Sequence, residues 1–403
     1  MKNTIRVLGL DVSKSSVSAC LLLEKPDEPR QFYYNYNFLK LFADKEGIKT
    51  LLELRPDVVL LEPTGTNYSR IWKEHLEKVG IKVLHVGHKE LRNYRAYHLG
   101  LPDKDDNADS LALACYWFDY NHLSNRFVAN LNSQIIRVRE LVLRLEHLNR
   151  IQSPIINRLR QDLAWQFPEA ALITSKRGKD GLTPLLWGWI AKLRDSRKYD
   201  AFYKRSIGLG LEQSTRDRAL LLCNLQQQEF TVESELQQLL SEACFVPYYK
   251  VFNKFCFGSR LSSILIAHIY PLEIFLKDGK PEIKICRGRI SGKPTKHHIS
   301  LRKFQKTLGM APSQEQSGDK RAVKANNGSK LCRKALWQWV FATLEPRKRK
   351  VKNEIINTLC TYLDAEKASG KPVQLIRSRV AARAVKLLFR ELVKELNDAN
   401  STD

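Results

Sequence analysis

The order in which strand-like and helix-like segments follow one another over the first 120 residues constrains the fold more than any other feature of this chain. Ile5 to Val12 reads as a buried strand, Val17 to Leu23 as a second and Gln31 to Asn37 as a third, with Pro26 and Pro29 marking the turn between the last two. Phe38 to Leu54 has helical apolar spacing, Val58 to Leu61 is a fully apolar strand, and Asn67 to Val79 is helical again. Lys82 to Val86 is another strand, and Leu111 to Phe118 opens a further helix. The expected order is βββαβαβα. Such an order gives a mixed sheet in which the first strand lies beside the fourth through a crossover helix, the arrangement of an α/β domain.

Acidic residues stand where that sheet should be most apolar. Asp11 interrupts the strand V-L-G-L-D-V-S, where an unpaired charge is costly to bury, so something must compensate it. Glu62 ends the run V-V-L-L-E and is followed by Pro63, Thr64 and Gly65, which stop the strand at a turn. If the two strands are parallel neighbours, both acids project at the same end of the sheet. The segment D-K-D-D-N-A-D-S then leads into the helix at Leu111, and Asp106 and Asp109, three apart, share a helical face. Acids on a first helical turn also suit the helix dipole, so capping is the competing reading for this pair. Two strand-borne acids and a helical pair make an all-oxygen set suited to two Mg²⁺ or Mn²⁺ ions. Two such ions stabilise the entering and leaving oxygens of phosphodiester exchange.

From Leu131 the pattern changes. Leu131, Ile135, Val138, Val142 and Leu145 alternate steps of four and three, the spacing of a coiled-coil seam. The stripe continues through Leu148, Ile151, Ile155, Leu159 and Leu163 to Pro168, with Pro154 expected to kink or interrupt it. A second helical stretch runs from about Ser214 to Cys244. The stripe fits either an intramolecular helical hairpin or a dimerisation arm. Val251 to Leu344 reads as mixed helix and loop with a basic stretch from Lys277 to Lys303, Arg347 to Lys350 form a cationic run, and Val373 to Leu396 reads as a final amphipathic helix. The expected divisions are 1–125, 126–250, 251–345 and 346–403.

The charge names a class of partner. With 67 Lys and Arg against 43 Asp and Glu, the net charge is +24 in 403 residues. The basic residues recur in several segments, which points to nucleic acid held through its phosphates. A hydrophobic fraction of 43% supplies a sizeable core. No apolar run approaches the ~20 residues of a bilayer span and the N-terminus has no cleavable apolar region, so the expectation is a soluble, non-secreted, cytoplasmic protein, nucleoid-associated when on DNA. The 8 Cys form no C-x-x-C pair, and neither His85 with His88 nor His297 with His298 has a Cys or acid at ligand spacing.

A second constellation lies late in the chain, in L-G-M-A-P-S-Q-E-Q-S-G-D-K-R. Ser317 precedes Gly318, which lets backbone approach a phosphate, and Lys320 and Arg321 can neutralise charge built up on phosphorus. Downstream, N-N-G-S-K-L-C-R-K-A-L supplies Lys330, Arg333 and Lys334 at a loop-to-helix junction suited to backbone phosphates. On chemistry alone, a Ser in a polar loop is far more often a turn residue than a nucleophile.

The strand G-L-D-V-S-K, the turn L-E-P-T-G, the K-x-D-x-x-D pair before an Ala-bearing helix and the late G-M-A-P…S-G block occur in this order from about Ile5 to Leu344. Together they resemble the DEDD transposases of bacterial insertion-sequence family 110. The resemblance implies a RuvC-like (RNase H-like) N-terminal domain, a helical coiled-coil middle and a mostly helical C-terminal transposase domain. It implies that Asp11, Glu62, Asp106 and Asp109 bind Mg²⁺ or Mn²⁺, and that Ser317 attacks DNA and becomes covalently attached. It further implies donor and target DNA as substrates, a guide (bridge) RNA from the element, and a homo-oligomer, dimer or tetramer. Asp105 stands where the family usually has Thr or Asn, so Asp105 competes with Asp106 for the metal-facing place. A RuvC-type nuclease that uses only the carboxylates and water is the rival reading.

Overall fold

The computed structural model describes residues 5–63, 65–102, 105–123, 126–128, 133–175, 177–178, 181–288, 292–317, 320–324, 327–346 and 353–400, with backbone alone at 65–67, 313–317, 320–324 and 398–400. The chain divides into two compact units, Met1–Leu131 and Asn132–Asp403.

The first unit is built on β1 (Val7–Val12), β2 (Ser16–Leu22), α1 (Pro29–Asn35), β3 (Leu39–Phe42), α2 (Lys45–Glu53), β4 (Val58–Leu61), α3 (Gly65–Lys78), β5 (Lys82–His85), α4 (His88–Asn93) and α5 (Asp106–Tyr120). A π-helical turn, Tyr94–His98, continues α4. The five strands lie in the order β3-β2-β1-β4-β5. β2 runs antiparallel to β1 and β3, whereas β4 is parallel to β1 and β5. This is the RNase H-like order, with the first strand beside the fourth.

One segment departs from the sequence reading. Gln31 to Asn37 is not the third strand: Pro29 starts a short helix there, and the third strand is Leu39–Phe42, cut from what reads as the beginning of the next helix. Phe32, Tyr33 and Tyr36 look strand-like by residue type, but they pack on the core from the side of the sheet, beside Phe38. Burial of aromatic surface outweighs their weak local preference.

The pleat sorts each strand between two cores. Val7, Val58 and Leu60 face α5 together with Ala108, Leu111, Ala112 and Cys115. Leu8, Leu10, Val59 and Leu61 face α2 and α3 through Leu51, Trp72 and Leu76. Helix α5 lies directly on β1 because Gly9 has no side chain: a Cβ there would fall 2.0 Å from the Ser110 carbonyl oxygen and 2.7 Å from the Ala114 nitrogen.

The second unit is mostly helical. α6 (Ser133–Gln166) is followed by α7 (Pro168–Ala171), α8 (Leu185–Ile190), α9 (Arg197–Lys204) and α10 (Gln213–Leu240). α6 continues through Pro154 without ending, so proline interrupts no element here. It runs antiparallel to α10 within the chain: Arg137 donates to Glu235 at 2.6 Å, Gln152 to Glu229 at 2.9 Å, and Arg218 pairs with Asp162. Of the two readings of the stripe, the intramolecular hairpin is the one this packing realises. The Trp-bearing segment between them closes one end of that hairpin, with Trp187, Ile190 and Tyr199 packed on Leu159, Leu163 and Leu222.

Beyond these come α11 (Val246–Lys254), α12 (Ser259–Ile269), the hairpin β6 (Ile283–Arg287) and β7 (Pro294–His298), α13 (Ile299–Thr307), the hairpin β8 (Ser313–Ser317) and β9 (Lys320–Lys324), α14 (Lys330–Trp339), α15 (Glu354–Ala368) and α16 (Val373–Asn400). Phe304 of α13 meets Phe389 of α16 and Phe275, with ring centroids 5.1 and 5.3 Å away. Among the described residues no helix is long and apolar enough to cross a membrane. The cationic run Arg347 to Lys350 lies outside the described residues.

A Gly9→Ala substitution sets a methyl group against helix backbone that cannot rotate away. We expect a loss of about 3 kcal/mol, the upper end of ordinary overpacking, read as a lower denaturant midpoint than that of the wild type.

Candidate active site

Leu10 pairs with Leu61 across the parallel β1 and β4, so the next residue of each, Asp11 within β1 and Glu62 just past β4, stand side by side at the carboxyl end of the sheet. Both continue the alternation that sends Val7, Val58 and Leu60 toward α5. Helix α5 brings the other two acids. Asp106 and Asp109 occupy its first turn, and the Asp106 carboxylate hydrogen-bonds with Asp11. A further tie holds the helix end in place: the Ser18 hydroxyl, opposite Asp11 on β2, bonds to the Asn107 side chain. The four sequence-chosen carboxylates thus converge at one end of the sheet.

Asp105 does other work. It is the N-cap of α5, accepting from the Asn107 and Ala108 backbone N–H groups at 2.7 and 3.0 Å, while its second oxygen accepts from the Tyr33 hydroxyl at 2.8 Å. Burial opposes its ionisation, but the Tyr33 hydroxyl, those two N–H groups and the Arg95 charge together hold it below the usual carboxylate range. Capping and cluster roles therefore divide between neighbours, with Asp105 as cap and Asp106 turned to Asp11.

Two basic side chains to which the sequence reading gave no such role, Arg95 and His88, face this cluster. Arg95, only 5% exposed on the π-helical turn, donates to Asp109 at 2.5 Å. His88 Nδ1 lies 3.0 Å from Glu62 Oε2. Neither partner is at a telling sequence spacing, because β4 and α5 supply the acids from outside the segment that carries the cations.

The late constellation sits in the second unit. Ser317 ends β8 opposite Lys320, which opens β9, and Arg321 pairs with Gln316. Gly318 and the side chains of Ser317, Lys320 and Arg321 lie outside the described structure. Lys330 is the first residue of α14, capped by the Ser329 hydroxyl accepting from Cys332 N–H at 3.2 Å. Arg333 donates to the Gly309 carbonyl at 3.4 Å, and Lys334 pairs with Glu146 at 3.3 Å.

Residues 290–354 match the model of the "Transposase IS116/IS110/IS902 family". The match marks the chain as an enzyme of the transposase and recombinase class. The whole late constellation falls inside this transposase segment, and the four carboxylates precede it. No curated protein matches the chain. Two solved structures similar to part of it are T. thermophilus RuvC in complex with Holliday junction substrate (15% identity, 31% of this chain and 99% of that one, TM-score 0.24) and a Thermus thermophilus RuvC structure (13%, 31% and 100%, 0.21).

Electrostatics in the first unit follow from four acids in a half-buried space. Asp11 is pushed up to about 7 by burial, then by the charges of Asp109, Asp106 and Glu62 and by its hydrogen bond with Asp106. Burial also raises Asp109, against the opposing charge and hydrogen bond of Arg95. Among the described residues no group of three or more His, Cys, Asp or Glu is placed so that it could hold a metal ion. In chemistry the set is all carboxylate oxygen, the donor type that hard cations take, and burial together with the neighbouring charges keeps a proton on Asp11 near neutrality.

Two outcomes follow. Because Asp11 is raised above its ordinary 3.8, its contribution to stability is full below about pH 4 and is lost as pH rises through about 7, on the order of 4 kcal/mol. In chelator, Asp11→Asn should remove that decline and melt above the wild type at about pH 8, as thermal melts across pH would register. Arg95→Met leaves Asp109 buried beside other acids, and we expect it to cost about 3 kcal/mol in denaturant unfolding.

Proposed function

We propose that the chain is a DNA recombinase of the insertion-sequence type, which cuts and exchanges strands through a covalent phosphoserine at Ser317. In this reading Asp11, Glu62, Asp106 and Asp109 hold Mg²⁺ or Mn²⁺, and an element-encoded RNA chooses the sites by base pairing. The observation that supports it most is the meeting of four carboxylates at the carboxyl end of an RNase H-like sheet in a chain whose residues 290–354 match a transposase family.

Held by Asp11, Glu62, Asp106 and Asp109, a divalent cation would supply charge stabilisation to the oxygens entering and leaving phosphorus. The protein's own groups do the rest. The Ser317 hydroxyl gives up its proton and its oxygen forms the bond to phosphorus, while the sugar oxygen leaves and is protonated. Reversal with a different strand's hydroxyl restores Ser317 and joins new DNA, so no bond energy is lost to water and none need be supplied. Lys320 and Arg321 adjoin the serine in sequence and offset the charge on the attacked phosphate, and Lys330, Arg333 and Lys334 hold flanking backbone. The carboxylates lie in one compact unit and Ser317 in the other, and the proposed working form is a dimer or tetramer.

The net charge of +24 suits donor DNA, target DNA and guide RNA together. Duplex RNA is held by shape and phosphates, which leaves sequence choice to base pairing.

Denaturing gels of the protein incubated with its RNA and end-labelled donor DNA provide the test. Wild type should give a protein-linked DNA band, Ser317→Ala none and no cleavage, and Asp11→Asn no cleavage. Cleavage retained by Ser317→Ala would instead make water the nucleophile.

A further inference from the structure

The hairpin β6–β7 has no core. All ten of its strand residues are exposed, although a two-stranded ribbon in water is marginal without a face to bury. It is nevertheless firmly rooted. The Glu282 carbonyl accepts from Ile299 N–H at 2.9 Å, and Glu282 N–H donates to the hydroxyl of Ser300, itself 1% exposed. At the far end Gly288 N–H donates to the Lys293 carbonyl at 2.9 Å. The segment 277–298 carries seven Lys or Arg against two acids.

We propose that this hairpin is a grip that enters the major groove of a B-form DNA duplex. The inference rests on the recombinase reading and adds the element, the groove and the form of nucleic acid. Two strands ~4.8 Å apart with their side chains fit a groove ~12 Å wide, which admits a two-stranded ribbon. The major groove of an RNA duplex is too deep and narrow for side chains to read. The register gives the ribbon two unlike faces. Ile283, Ile285 and Arg287 stand opposite His298, Lys296 and Pro294, and Lys284 stands opposite His297 on the other face. Ile285 is 68% exposed, an apolar surface between cations that suits the methyl groups and edges of bases flanked by phosphates.

The mount gives the grip a purpose. β7 runs directly into α13, whose other end leads to β8 and Ser317. α13 has nine residues, about 13 Å of helix. Its far end is held against the loop before α14, where Ser329 N–H donates to the Thr307 carbonyl at 3.0 Å and a Cβ on Gly328 would strike the Lys306 carbonyl oxygen. Phe304 anchors the middle of the helix on α16. Duplex held by the ribbon is thereby kept at a fixed reach from the strand that ends in Ser317.

The test compares the full-length chain with two variants. One carries Lys284→Ala, Arg287→Ala and Lys296→Ala. The other replaces residues 283–298 by a short Gly-Ser bridge, which the 2.9 Å approach of Glu282 and Ile299 permits. Fluorescence anisotropy would follow binding to a duplex DNA and to an RNA duplex of the same sequence across salt concentrations, with thermal melts to check folding. We expect both variants to bind DNA at least tenfold more weakly, with the salt slope shallower by about 2 to 3 in the triple variant and by about 4 to 5 in the bridged one, which removes five Lys or Arg, and to bind the RNA duplex within twofold of wild type. DNA affinity unchanged in the bridged variant, or DNA and RNA affinity falling together, would overturn the inference and leave the recombinase reading intact. A wild type with no affinity for duplex DNA would overturn both.

Discussion

At Gly9 a helix and a strand meet backbone to backbone, with no side chain between them. That approach is what sets the first turn of α5 over the end of β1. A sheet alone can bring together only the acids its strands carry, here Asp11 and Glu62 at the ends of two parallel neighbours. The second pair has to come from an element lying across the sheet, and its reach is set by how closely that element can lie. Any residue larger than glycine would lift α5 and carry Asp106 and Asp109 away from Asp11.

The resulting cluster is a local inversion of the chain's charge. In a protein with a net charge of +24, four carboxylates are drawn into one half-buried space, and burial, with their mutual repulsion added, favours a proton on Asp11 near neutral pH. Arg95 and His88 face the same space and hold Asp109 and Glu62. Such an arrangement is poor as a stabilising device, because desolvated ions seldom repay their transfer from water. In the proposed reading it serves instead as a receptor for cations, whose binding would remove the repulsion. Phosphate, repelled by the carboxylates alone, is then attracted to the same place.

The second unit, in the proposed reading, meets a different requirement, that of holding a long polyanion. The antiparallel pairing of α6 and α10 spends the apolar stripe inside the chain and leaves their charged faces outward. α13 lies between two hairpins in the chain, an exposed one basic on both faces and one whose first strand ends in Ser317.

Much of this was legible in the residues. The apolar runs located β1, β4 and β5, and an acid inside or at the end of such a run is anomalous enough to mark Asp11 and Glu62 without any structure. The start of α5 carried its own cap and acids. Other features lay beyond reach because they depend on neighbours distant in sequence. Phe32, Tyr33 and Tyr36 form a helix face although their residue types suit a strand, since what they bury against is α5 and the sheet. Arg95 has no sequence pattern that announces an acid fourteen residues away. Whether Asp105 or Asp106 turns to the cluster was undecidable from adjacent aspartates, and the Tyr33 hydroxyl and the helix N–H groups decide it. The apolar stripe from Leu131 carried a helix but not its partner. Sequence alone determined which residues must avoid water and which charges are out of place. Only the tertiary structure decided which of them meet, because burial is a property of residues while convergence is a property of the chain's path between them.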